Sequence, residues 1–128
     1  MNKNHNNEPV MSIGLILPED NQKNVSITLI GEKFGLLIDG IKQFEFKNDF
    51  NIGIHGNKLS LNDIHCNEII IKNNDRELGN YIKVDPVIAG RGFHWQKFID
   101  IKVLGDLVIK IINQRLFIIN KIFLEDYL

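Results

Sequence analysis

Two glycines bracket an arginine, and a phenylalanine, a histidine and a tryptophan follow, in Gly90-Arg91-Gly92-Phe93-His94-Trp95. No other segment of this sequence is so well suited to chemistry. Trp95 is the single tryptophan of the chain. Glycine lets the backbone turn tightly and lets a partner come close. The planar arginine fork suits carboxylates and phosphates, and an indole face stacks on sugar rings or packs on a cation. One reading is a loop that presents Arg91, His94 and Trp95 to a ligand. The other is a bulged strand in which Phe93 and Trp95 close one end of the core and Arg91 pairs with a local acid, as aromatics beside glycine often do in β proteins. Residue types alone leave both open.

Other reactive side chains make weaker constellations. His55, His65 and Cys66 match no zinc spacing, and His65 and Cys66, adjacent on an extended chain, point to opposite faces. No metal site is expected, and Cys66 is expected to be a small buried side chain. His5 lies in the polar tip. Glu19-Asp20, Asp49, Asp63, Glu125 and Asp126 form no pair of carboxyl groups that sequence can hold at the separation glycoside chemistry needs. There is no nucleophile elbow, phosphate-cradling glycine loop or dinucleotide fingerprint. On residue chemistry alone the chain reads as a binding or structural domain, with no cofactor implied.

The elements that must position these residues are strands. Short runs rich in Ile, Val and Phe recur about every eight to twelve positions between turn residues, the pattern of a sandwich or barrel. The runs from Val10 to Leu17 and from Val25 to Ile30 come first. Asp39-Gly40 then joins the runs from Phe34 to Ile38 and from Ile41 to Phe46, the strongest short hairpin signal. A strand from Phe50 to His55 turns at Gly56-Asn57 and resumes through Leu61. Asn62 to Asn67 reads as a polar break, Glu68 to Lys72 as a strand, Asn73 to Arg76 as a loop, and Tyr81 to Val84 as a short strand before Pro86. The stretches from Lys97 to Leu104, Leu107 to Ile112 and Arg115 to Ile119 read as an antiparallel meander, with Asn120-Lys121 leading to Ile122-Phe123-Leu124. Glu125 and Asp126 suit the first turn of a helix. The fold class expected is mostly β, with antiparallel hairpins and a meander forming a small sandwich or barrel, and a helix beginning at the C-terminus.

At 128 residues the chain suits one ordinary domain, expected over 9–128 after a disordered polar tip at 1–8. With 44% hydrophobic and 24% charged residues it has material for a core. The formal charge of −1 and interspersed signs give no basic stripe for nucleic acid. No apolar run approaches the roughly 20 residues of a membrane-spanning helix. The segment Met1 to Glu8 does not read as a secretory signal. The chain is therefore expected to be either cytosolic or a piece of an exported protein whose signal lies elsewhere.

Two phrases narrow the field. Val87-Ile88-Ala89-Gly90-Arg91-Gly92-Phe93-His94-Trp95-Gln96 is followed, after a hairpin, by the stretch from Arg115 to Leu128 that ends in Leu124-Glu125-Asp126-Tyr127-Leu128. Together, across 86–128, they resemble the SpoIID/LytB family, whose members include a sporulation protein that cleaves glycan strands and a modifier that enhances an amidase. In that family a hydrophobic hairpin leads to a similar Leu-Glu-Asp-Tyr-Leu phrase, and the proposed catalytic glutamate comes directly after it. Glu125 matches the acidic position of the phrase and not the catalytic one. The resemblance implies a non-catalytic N-terminal portion of a peptidoglycan-remodelling protein of the cell envelope, inactive alone, which scaffolds a catalytic segment beyond Leu128. Its expected partners are glycan strands or a cell-wall amidase. The alternative is a stand-alone β module that binds a carbohydrate or a protein.

Overall fold

Alternation of branched apolar and polar residues decides which way each strand faces. The computed structural model describes residues 9–75 and 79–127; the polar tip at 1–8 and Arg76 of the loop read from Asn73 to Arg76 lie outside them. Numbered in chain order, one six-stranded antiparallel sheet runs spatially β1 (Val10–Ile16), β12 (Arg115–Phe123), β11 (Asp106–Ile112), β8 (Glu68–Asn73), β3 (Phe34–Ile38) and β4 (Ile41–Gln43). The second runs β10 (Lys97–Val103), β9 (Tyr81–Ala89), β2 (Asn24–Ile30), β5 (Asp49–His55), β6 (Lys58–Leu61) and β7 (Ile64–Cys66). The sheets pack as a sandwich and do not close into a barrel. A short helix, α1 (Leu124–Tyr127), follows β12.

The core lies between the sheets. Val25, Ile27 and Leu29 of β2 and Leu116 and Ile118 of β12 are buried in the same core cluster. Tight turns fix register where the sequence marks them. Asp39 and Gly40 both take positive φ (50° and 82°), as do Asn113 and Gln114 (51° and 63°), the conformation that matches the twist of paired strands.

Four strand boundaries differ from the sequence reading, three because a polar or cyclic residue sits inside a strand and one, at β4, because the chain leaves the sheet early. The polar break contains β7, whose Cys66 is buried while His65 faces out. β4 stops at Gln43, and the following residues cross to the other sheet. β9 continues past the cis Asp85–Pro86 bond to Ala89. The ladder between β9 and β10 shifts there, from Ile99↔Val87 to Ile101↔Val84, so the proline occupies a bulge where no ladder N–H is required. β12 runs unbroken through Asn120, which takes a core-facing position between Ile118 and Ile122.

The stretch read as a meander also divides. β11 and β12 form a hairpin, but β10 belongs to the opposite sheet, and Leu104-Gly105 carries the chain across. The Asn120 side chain bridges this crossing. Its Nδ2 donates to Leu104 O at 2.7 Å and Asp106 O at 3.0 Å, giving carbonyls on both sides of the crossing a side-chain donor.

Candidate functional site

The loop from Gly90 to Gln96 joins β9 to β10 and projects from one end of the second sheet. Pairing of β9 with β2 ends at Asp85↔Ser26, while pairing with β10 runs on to Ala89↔Lys97. The bulge at Asp85-Pro86 thus separates the hairpin tip from β2, and the tip meets the connection from β1 to β2 instead. Within the loop, Phe93 N–H donates to Gly90 O at 2.9 Å and Gln96 N–H to Phe93 O at 3.0 Å. Gln96 Oε1 accepts from Gly92 N–H at 3.0 Å.

Arg91 fastens this loop down. Its Nε donates to Asp20 Oδ1 at 2.6 Å and its Nη2 to Asp20 Oδ2 at 2.7 Å, with a longer bond from Nη2 to Leu15 O at 3.4 Å. Asp20 ends a single 3-10 turn, Pro18–Asp20, and its Oδ2 also accepts from Leu17 N–H at 2.9 Å. The carboxylate is 2% exposed and the guanidinium side chain 35%. Burial works to raise the Asp20 pKa, but the Arg91 bonds, the Leu17 N–H and the Arg91 charge outweigh it and hold the carboxyl below its ordinary value. Arg91 is raised in turn, chiefly by its bonds to Asp20. The arginine therefore pairs with a local acid, and only Nη1 is left without a partner among the described residues.

The aromatic side chains take the other course. Phe93 is 62% and Trp95 53% exposed, so they do not plug the core. Their rings stack with centroids 5.4 Å apart and planes inclined by 12°, within the range of favourable offset pairs. Trp95 lies against Gly90, where a Cβ would overlap the indole ring, and Gly90 also carries a positive φ of 71°. That one position needs glycine twice over. Phe98, on the outward face of β10, is 63% exposed. His94 is exposed, with no hydrogen bond, ion pair or ring contact among the described residues. The result is a braced hairpin with an apolar aromatic surface and an unengaged imidazole beside it.

The remaining candidates sit elsewhere. His55 and His65, unrelated by spacing, stack with centroids 4.4 Å apart on the outer face of the second sheet. Cys66 is buried, and burial first, then the Asp39 charge, pushes its thiol pKa up, which keeps it from acting as a thiolate. Among the described residues no group of three or more His, Cys, Asp and Glu is placed to hold a metal, and no helix is long and apolar enough to cross a membrane. A cleft of 530 Å³ opens between the sheets at the opposite edge from the hairpin, floored by Leu36, Ile38 and Leu61 and rimmed by Glu45, Asp49 and Asn62.

Asp20 is the residue that sequence reasoning missed. It was visible only as an acid in a turn, because its partner lies 71 residues away. Compared with protein-family models, curated proteins and solved structures, the chain matches none.

Proposed function

We propose that this chain is a non-catalytic β-sandwich that holds glycan on its β9–β10 hairpin, as part of a SpoIID/LytB-like protein of peptidoglycan remodelling at the cell envelope. The observation that supports this reading is the exposed Phe93–Trp95 stack on a loop braced by Arg91 and Asp20. Aromatic surface of this kind suits the apolar faces of sugar rings, and a braced loop loses little conformational freedom when it binds. Arg91 acts here by positioning, Trp95 and Phe93 by contact, and His94 by offering a hydrogen bond at the rim. The phrases from Val87 to Gln96 and from Arg115 to Leu128 carry the resemblance to that family, which suggests the kind of glycan; an amidase that works on the same strands is the second partner the resemblance suggests.

Titration of the 128-residue chain with peptidoglycan glycan fragments tests the proposal. Saturable changes in Trp95 emission are expected, lost in Trp95→Ala with the fold retained. Binding that survives both Trp95→Ala and Phe93→Ala would sink it.

The 530 Å³ cleft favours a second reading, a stand-alone module for another partner. Its size suits a small ligand or a peptide side chain, and near its rim Ile41 on β4 and Phe44 just beyond it stand 66% and 85% exposed. In that case ligand-induced NMR shifts would gather at Leu36, Phe46 and Ile64 and spare the hairpin.

A further inference from the structure

The stacked histidines form a site of their own, independent of the aromatic hairpin. His55 ends β5 and His65 lies in β7, with β6 between them. Strands two places apart in a sheet stand roughly 9.5 Å from each other, yet the ring centroids are 4.4 Å apart and the planes differ by only 12°. The side chains therefore lean together over β6. Register explains how they can. Gly53, Ser60 and His65 form one cross-strand row, and His55 and Lys58 the next, on the same outward face. Gly53 has no side chain and Ser60 a small one, so the space between the imidazoles is clear. Lys58, the cation of this row, has its Nζ drawn to Asn67 Oδ1 at 2.9 Å.

We propose that His55 and His65 together bind a borderline divalent transition-metal ion such as Cu2+, Ni2+ or Zn2+. Imidazole nitrogen prefers these ions to Mg2+ or Ca2+. Two imidazole nitrogens bound to one tetrahedral ion, each at about 2.0–2.1 Å, stand roughly 3.3 Å apart. In the stack the ring planes are nearly parallel, so at least one exposed ring swings out of it about its side-chain torsions to bring both nitrogens onto one ion, and the 4.4 Å approach shows that the two side chains reach the same space. Cys66 contributes nothing to the ion, since it faces the core with 1% exposure. The remaining coordination positions face solvent and are filled by water. The site is thus open, and the ion is exchangeable rather than structural.

The test uses the full chain carrying His5→Ala, which removes the histidine of the polar tip. Calorimetric titration with Zn2+ alone and NMR of the imidazole signals with Ni2+ or Cu2+ are the readouts. Saturable binding is expected, with the His55 and His65 signals broadened before those of His94, and with no response to Mg2+. His55→Ala and His65→Ala should each weaken binding at least tenfold, with melting curves that show both variants folded, while His94→Ala leaves it unchanged. Broadening of His94 to the same degree, or an affinity that neither variant moves, overturns the proposal.

Discussion

Arg91 and Asp20 form an ion pair with two short bonds, Nε to Oδ1 at 2.6 Å and Nη2 to Oδ2 at 2.7 Å, that fastens the β9–β10 hairpin to the connection between β1 and β2. The pair joins a loop of the second sheet to a segment arriving from the first. Because the carboxylate is almost wholly covered, removing the arginine strands a charge with one remaining N–H donor. Arg91→Ala should cost about 1–2 kcal/mol, between the value of an exposed pair and that of a buried one. Chemical denaturation measures this, and faster loop motion in NMR relaxation should accompany it.

Acid should release the same clasp. The folded pKa of Asp20 lies below its ordinary value, so the unfolded chain takes up a proton first as pH falls. The stabilisation is then fully present above the ordinary Asp value of ~3.9 and is lost as pH drops through the folded value. Melting temperature followed from pH 7 down to pH 2 should show an acid-side loss that Asp20→Asn reduces. An identical acid limb in the variant would remove Asp20 from the account.

Trp95→Ala separates surface from core. A buried tryptophan costs about 3–5 kcal/mol when cut to alanine, whereas with half its surface exposed the change should cost about 1 kcal/mol or less. A single thermal melt distinguishes the two.

Gly90→Ala should be worse than Trp95→Ala for stability. A side chain there meets both an unfavourable positive φ, about 1–2 kcal/mol, and the indole ring. Trp95 must move, so its emission should shift even without ligand.

Asn120→Ala should cost about 1–3 kcal/mol by leaving Leu104 O and Asp106 O without their donor. Urea unfolding checks it. This residue also shows where sequence reading reaches its limit. Val25, Ile27 and Leu29, or Asp39-Gly40, announce strand and hairpin through their own types, because a core face and a left-handed turn each select residues locally. Asn120, Pro86 and His65 do the opposite. Each is a poor strand signal that a neighbouring strand makes acceptable, through a hydrogen bond across a sheet crossing, a bulge or an outward face. The candidate site divides the same way. Gly90 to Trp95 stood out in composition, and the pairing of Arg91 with an acid was one of two readings. Which acid, and that Phe93 and Trp95 stay outside the core, depend on contacts between the two sheets. The meeting of His55 with His65 likewise depends on β6 lying between their strands.

The Phe93–Trp95 stack is proposed to hold glycan. NMR titration of the 128-residue chain with peptidoglycan glycan fragments tests it most directly, read at the Trp95 indole and the Phe93 ring. Saturable shifts at both rings, with the signals of Leu36 and Ile64 in the distant cleft unchanged, are the predicted result. Trp95 and Phe93 signals that stay in place at millimolar glycan would contradict it.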